Sequence, residues 1–102
     1  MSIFFEVISC LGKRIRITED HWKLITERKH PEIEDFQQDV QLTLIEAEVV
    51  RVSQEDRDVF LYYRRCKKYH LCVVCRHLNG EGFIITSYLT DRVKEGHEVW
   101  RK

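Results

Sequence analysis

Four side chains in this sequence have the types needed to cleave an RNA backbone without a metal ion: His30, Arg64, Thr86 and Tyr88. In that reaction a base helps the ribose hydroxyl to attack, a cation stabilises the charge on the phosphorane, and an acid protonates the leaving oxygen. Arg64 is the candidate cation, because a guanidinium holds a phosphate through two hydrogen bonds. Its ordinary alternative is a surface ion pair. His30 is the candidate for proton transfer, and its alternative is to cap a helix that begins at Pro31.

A second group of side chains could hold an RNA chain around such a centre. The segment from Arg64 to His70 packs four fixed positive charges and a histidine into one predicted strand–turn–strand corner. Such a corner fits a phosphate or an acidic partner segment, and a solvated turn is the alternative. Tyr62, on a predicted strand, could stack on a base, and its alternative is a half-buried sheet residue. For His77 the ordinary expectation is an exposed histidine. The residues predicted to bind RNA are Tyr62, Arg65, Lys67, Lys68 and His77.

The four cysteines are interpreted as reduced thiols, because the N-terminus lacks the pattern of a secretory signal. Cys72 and Cys75 have the CxxC spacing of metal and redox sites. They lie, however, in the apolar segment His70–Leu78, which is typical of a strand, and residues three apart on a strand point to opposite faces. We therefore expect core cysteines, no metal and no cofactor, with a metal site as the alternative.

The hydrophobic pattern predicts the element order β–β–α–α–β–β–β–β. Strands over Ile3–Ser9 and Arg14–Thr18 precede a helix that Thr18 caps. A second helix begins at Pro31 and carries a core-facing apolar stripe to Leu44. This order predicts one α+β domain over residues 1–102, with two helices on one face of a mostly antiparallel sheet. The other strands are predicted at Ala47–Val52, Val59–Cys66, His70–Leu78 and Phe83–Leu89, and a short C-terminal helical turn at Thr90–Glu95.

Strand alternation sorts the last three predicted strands into two faces. One face collects Arg64, Thr86 and Tyr88 with Tyr62 and His77. The opposite face is almost wholly apolar, so we expect it to lie under the helices. The first face is then expected to be open to solvent and to ligands.

The composition argues against several other classes of function. The chain has 102 residues, with 17 Lys plus Arg against 17 Asp plus Glu, so its formal net charge is zero. Sequence-independent nucleic-acid binding needs excess positive charge, so DNA is not an expected partner. No apolar run approaches the roughly 18–20 residues of a membrane span. The sequence therefore predicts a cytoplasmic domain that does not enter a membrane.

Three segments carry a resemblance to known domains: Arg28–Ile33 with the helix through Val40 and Leu44, Asp58–Arg64, and Gly82–Tyr88. They resemble a group of small uncharacterised bacterial and phage-associated domains placed near the barnase/EndoU/colicin/RelE-like nuclease superfamily. The resemblance covers roughly Trp22 to Trp100. It implies a RelE-like fold and a metal-independent ribonuclease site on the sheet face away from the helices. It implies that His30 is the helix histidine, Arg64 the strand arginine and Thr86 the last-strand hydroxyl, with Tyr88 beside it.

Two functions follow as hypotheses. The first is a toxin-like, metal-independent endoribonuclease that acts on RNA phosphodiester bonds by acid/base catalysis and is held by a cognate antitoxin. The alternative is a non-catalytic binding module that holds a protein partner on its open sheet face or at a sheet edge. In that case exposed apolar residues such as Phe60 and Ile84 would anchor the contact.

Overall fold

The computed structural model describes residues 2–93 and 95–102. A π-helical turn over Ile25–Lys29 continues the first α-helix, and a 3₁₀ turn over Pro31–Ile33 precedes the second. No helix in these two ranges is long and apolar enough to cross a membrane. In chain order the elements are β1 (Ile3–Ile8), β2 (Arg14–Thr18), α1 (Glu19–Leu24), α2 (Gln37–Ile45), β3 (Val49–Val52), β4 (Val59–Cys66), β5 (Tyr69–His77), β6 (Glu81–Thr90) and β7 (His97–Arg101).

All seven strands form one sheet, in the order β1-β2-β6-β5-β4-β3-β7. Neighbouring strands are antiparallel except β2 and β6, which pair in parallel through Arg14–Arg16 and Glu81–Phe83. This short parallel pairing joins the N-terminal hairpin to the rest of the sheet. The predicted α+β class, with two helices on one face of a mostly antiparallel sheet, is confirmed.

The C-terminal helical turn predicted over Thr90–Glu95 is wrong for the part of that segment that the structure describes. Thr90 is the last residue of β6, Asp91 and Arg92 form a bend, and Lys94 lies outside the described residues. The chain then forms β7, a strand that the sequence pattern did not predict. Without β7 the outer edge of β3 would present unpaired backbone N–H and C=O groups, so the tail completes the sheet there.

The second helix begins later than predicted. After the 3₁₀ turn the helical conformation is interrupted, and α2 begins only at Gln37. The predicted apolar stripe nevertheless faces the core, because Ile33, Val40 and Leu44 are completely buried. The stripe therefore predicted the buried face correctly, whereas the prediction of one uninterrupted helix from Pro31 is wrong.

The main core lies between the helices and one face of the sheet. Trp22, Ile25, Val40 and Leu44 supply its helical side. The prediction that Tyr62, His77 and their neighbours form the open face is wrong, because these are the residues that the helices and the β1–β2 hairpin cover. On the sheet side the core contains Ile15, Ile17, Val50, Tyr62, Leu71, Val73, Cys75 and Ile84.

A bulge in β6 places Ile84 and Thr86 on opposite faces of the sheet, although simple alternation puts both on one face. Cys75 lies opposite Ile84, whereas Val74 lies opposite Thr86, so Ile85 is an extra residue. The carbonyl oxygen of Ile85 accepts a hydrogen bond from Nε2 of His21, at 2.7 Å. Residues after the bulge therefore point to the opposite face from the one that alternation predicts.

The other sheet face, called here the open face, carries a smaller cluster of Val49, Leu61, Tyr63 and Cys72, with Tyr88 and Val93 packed against it. The chain that follows β6 covers part of this face. Ile84 belongs to the main core, at 1% exposure, and Phe60 packs against that core. The prediction of an exposed anchor is therefore wrong for Ile84, whereas Phe60 is half-buried.

Candidate functional site

Arg64 does not join the other predicted catalytic residues. It lies opposite Leu71 of the main core, and so it points to the helix-covered side. Its Nη1 atom is 3.8 Å from Oδ1 of Asp39 on α2, which is the ion pair considered as its ordinary alternative. Thr86 and Tyr88 point to the open face, so the prediction that all three share one face is wrong. The reason is the bulge in β6, which alternation could not show.

His30 and Tyr88 are the two predicted catalytic residues that the structure does bring together. Their ring centroids are 5.5 Å apart at an interplanar angle of 37°. Nδ1 of His30 also lies 3.3 Å from Oε2 of Glu32. His30 occupies the N-cap position of the 3₁₀ turn, but its side chain makes no capping hydrogen bond. The capping alternative is therefore correct for the position of His30, but its side chain does not cap the turn.

Tyr88 and Thr86 have little capacity for proton transfer on the open face. Burial, followed by the neighbouring Cys72, Tyr63 and Glu95, raises the pKa of Tyr88 above its ordinary value. Tyr88 is therefore a protonated phenol at neutral pH. The hydroxyl oxygen of Thr86 is buried and has no hydrogen-bond partner within residues 2–93 and 95–102.

The residues predicted to bind RNA fall into a buried group and an exposed group. Tyr62 is completely buried, so it cannot stack on a base. His77 is only 7% exposed, which corrects the expectation of an exposed histidine. The basic side chains Arg65, Lys67 and Lys68 do cluster in the exposed β4–β5 turn, where Nε of Arg65 donates to the carbonyl oxygen of Lys67 at 2.9 Å.

The two cysteines of the CxxC motif point to opposite faces, as predicted. Cys75 belongs to the main core and Cys72 to the open-face cluster. Burial, opposed by the neighbouring hydroxyls of Tyr88 and Tyr63, raises the pKa of Cys72 to about 12. Burial also raises the pKa of Cys75. Both are protonated at neutral pH and are poor nucleophiles.

A recess of about 500 Å³ opens on the open face, between the β3–β4 loop and the chain that enters β7. Its apolar residues are Val59, Leu61 and Val74, and Tyr88 contributes an aromatic ring. Glu55 and Glu95 contribute carboxylates. We call it the acidic recess. Its lining residues within the described part of the chain are Ser53, Gln54, Glu55, Val59, Leu61, Val74, Tyr88, Glu95 and Gly96.

Local contacts hold the two acidic segments of the recess in place. The hydroxyl oxygen of Ser53 accepts the N–H of Glu55 at 3.2 Å, which fixes the turn after β3. Nη1 of Arg51 donates to the carbonyl oxygens of Gly96 at 3.2 Å and of Glu95 at 3.4 Å. The sequence analysis did not identify this recess, because its second wall exists only once β7 lies beside β3.

Comparisons with family models, with curated proteins and with solved structures find no match to this chain. The likeness to the nuclease superfamily has no support from them, and the assignment remains a prediction. Within residues 2–93 and 95–102, no three His, Cys, Asp or Glu side chains are grouped so that they could hold a metal ion. The function must therefore be inferred from the chemistry of the surfaces.

Proposed function

We propose that the chain is a non-catalytic binding domain that holds a basic segment of a partner protein in the acidic recess. The observation that carries this proposal is the pairing of two carboxylates, from Glu55 and Glu95, with an apolar floor. A lysine or arginine side chain has the same two parts, a long apolar stem and a charged end. The stem would lie on Leu61 and Val74, and the charged end would lie near the carboxylates.

The charge of the recess favours a cation over a phosphate. None of its described lining residues is basic. The guanidinium of Arg51 donates from Nη1 to the backbone carbonyl oxygens of Glu95 and Gly96. Tyr88 adds an aromatic ring at the same recess, and a ring face attracts a cation. A phosphodiester chain would meet two carboxylates there and would be repelled.

The separation of the predicted catalytic groups also supports a binding role. Arg64 lies on the helix side in an ion pair, while Thr86 and Tyr88 lie on the open face. Acid/base catalysis needs its proton-transfer groups and its cation within reach of one phosphate. These three residues do not meet that requirement.

We expect short basic peptides to bind the acidic recess more tightly than acidic or neutral peptides of the same length. In an NMR titration, saturable shifts should map to Leu61, Val74 and Tyr88. The double substitution Glu55→Gln/Glu95→Gln should weaken binding about 5- to 20-fold, because it removes two partly solvated ion pairs.

The matched control is Glu34→Gln/Glu46→Gln, which removes the same charge from exposed residues beside the helices. This control should bind as the unmodified chain does. Equal binding of acidic peptides, or an equal loss in the control, would contradict the proposal, because affinity would then not depend on the recess.

A second candidate is the toxin-like, metal-independent endoribonuclease on a RelE-like fold, held by a cognate antitoxin. The position of His30 favours it, since it places an imidazole, a group that can transfer a proton, beside Tyr88 of β6. The exposed cations of the β4–β5 turn offer a separate surface for an RNA backbone. Arg64 would not supply the catalytic cation, because Asp39 already pairs with it.

Under this second candidate, His30→Gln should reduce RNA cleavage about 100-fold or more, since it removes the group that transfers a proton. Purified protein would be added to RNA in a translating extract, and new 5′ ends would be mapped. Arg64→Ala serves as the comparison and should retain cleavage. If no new ends are formed by the folded, unmodified chain, the ribonuclease proposal is wrong.

We also propose a cytoplasmic location. The four cysteines are free thiols, and three of them are buried. Free thiols are the usual state of cysteine in a reducing compartment.

A further inference from the structure

A buried chain of hydrogen bonds fixes the state of His77. The hydroxyl oxygen of Tyr62 lies 2.9 Å from Oγ of Ser9 and 2.9 Å from Nε2 of His77. Oγ of Ser9 also accepts the backbone N–H groups of Leu11, at 3.2 Å, and Lys13, at 3.3 Å. Tyr62 donates its one proton to Ser9, so its oxygen accepts the hydrogen bond from Nε2–H of His77. A neutral His77 therefore carries its proton on Nε2.

His77 is neutral at physiological pH. Burial, followed by the nearby charge of Lys13, lowers its pKa to about 4, while Asp58 acts in the opposite direction. The ring of Phe60 stacks on the imidazole, with centroids 3.9 Å apart and an interplanar angle of 12°. The ring is therefore held in one orientation by Tyr62 on an edge and by Phe60 on a face. None of the side-chain hydrogen bonds among the described residues uses Nδ1 of His77.

His77 lines a second recess, of about 490 Å³, at one end of the sheet. Three connections meet there: the β1–β2 turn, the β3–β4 loop and the β5–β6 turn. We call it the end recess. Phe60 and His77 point to the helix side of the sheet, so the end recess is separate from the acidic recess on the open face. It is lined by Lys13, Arg57, Asp58, Phe60, His77, Leu78 and Asn79.

The charged groups of the end recess are not paired with one another. Lys13, Arg57 and Asp58 take part in none of the ion pairs among the described residues. The neighbouring Asp56, by contrast, is paired with Arg76 at 3.0 Å. The recess therefore presents two cations against one carboxylate. An excess of unpaired positive charge in a recess is the arrangement that a small oxyanion needs.

We propose that the end recess binds a small phosphate monoester. Arg57 and Lys13 bind the phosphate oxygens. The organic part lies on Phe60 and Leu78, a leucine that is 45% exposed. The recess is larger than a phosphate group alone, which is why an ester is expected rather than the inorganic ion. This site is independent of the partner-binding role proposed above.

The test is an NMR titration of the full chain with three probes: inorganic phosphate, adenosine and adenosine monophosphate. We expect saturable shifts at Phe60, His77 and Leu78, with the monophosphate bound at least about 10-fold more tightly than either of its parts. Lys13→Gln/Arg57→Gln should weaken that binding about 10- to 100-fold, because each cation makes a charge-assisted hydrogen bond. Neither side chain is in an ion pair, so the variant should fold.

The charge-matched control is Lys23→Gln/Arg28→Gln, with both substitutions on the helical segment far along the chain from the three connections. This control should keep the affinity of the unmodified chain. Absence of saturable shifts, equal affinity for inorganic phosphate, or an equal loss in the control would each overturn the proposal.

Discussion

Lowering the pH from 7 to 4.5 is expected to reduce the free energy of unfolding by about 2 kcal/mol through His77 alone. The pKa of His77 is lowered from 6.5 to about 4 in the folded chain, chiefly by burial. Between these two values the unfolded chain binds a proton that the folded chain does not, so acid favours unfolding. The loss is therefore confined to the interval below about pH 6.5. Urea unfolding followed by fluorescence at several pH values would measure it.

The variant that isolates this effect is His77→Gln. Its amide can still donate a hydrogen bond to Tyr62, but it does not titrate, so the stability of this variant should change much less between pH 7 and 4.5. His97→Gln is the matched control, because His97 is exposed on β7, and it should keep the pH dependence of the unmodified chain. An unchanged pH profile in His77→Gln would show that His77 does not cause the acid sensitivity.

Gly82→Ala is expected to destabilise the chain by at least about 2–3 kcal/mol, as overpacking at a rigid site does. Gly82 lies in β6 between Ile15 of β2 and His77 of β5. A Cβ atom there would overlap the backbone carbonyl oxygen of Arg76 and approach the Ile15 side chain. Backbone cannot move aside as a flexible side chain can, so the strands must separate. For a domain of this size the melting temperature should fall by roughly 10–20 °C.

Gly12→Ala provides the comparison for this prediction. Gly12 has a φ of 78°, but an added Cβ would have no atom within 4 Å. Its cost should be only the backbone strain, about 1 kcal/mol. If the two substitutions were equally destabilising in thermal unfolding, the close approach of β5 to Gly82, and with it the β2–β6 pairing, would be in doubt.

The elements with strong local signals were predictable from the sequence. β2 and β4 have the predicted bounds, Arg14–Thr18 and Val59–Cys66, because β-branched and aromatic residues form these runs. The start of α1 follows from Thr18, whose hydroxyl accepts the N–H of His21 at 3.2 Å. The opposite orientation of Cys72 and Cys75 was also predictable, since it needs only the two-residue period of a strand.

The assembly of a site was not predictable in the same way. His30 and Tyr88 do meet. Arg64 was assigned to the same face as Tyr88, because alternation was carried through β6 without the bulge at Ile85. One extra residue reverses every later side chain, and no residue type in that run marks it. Glu55 and Glu95 were not singled out, because they are distant in the sequence.

The sequence by itself determined which segments form helices and strands, the α+β class and the side chains that share a face within one strand. These properties depend on neighbours a few residues apart. Only the tertiary structure decided which sheet face the helices cover, where β7 pairs, and that separate loops meet at the two recesses. Each depends on strand order and on contacts between distant segments. Tyr62 shows the difference: its hydroxyl suggested an open face, yet Ser9 and His77 satisfy it inside the core.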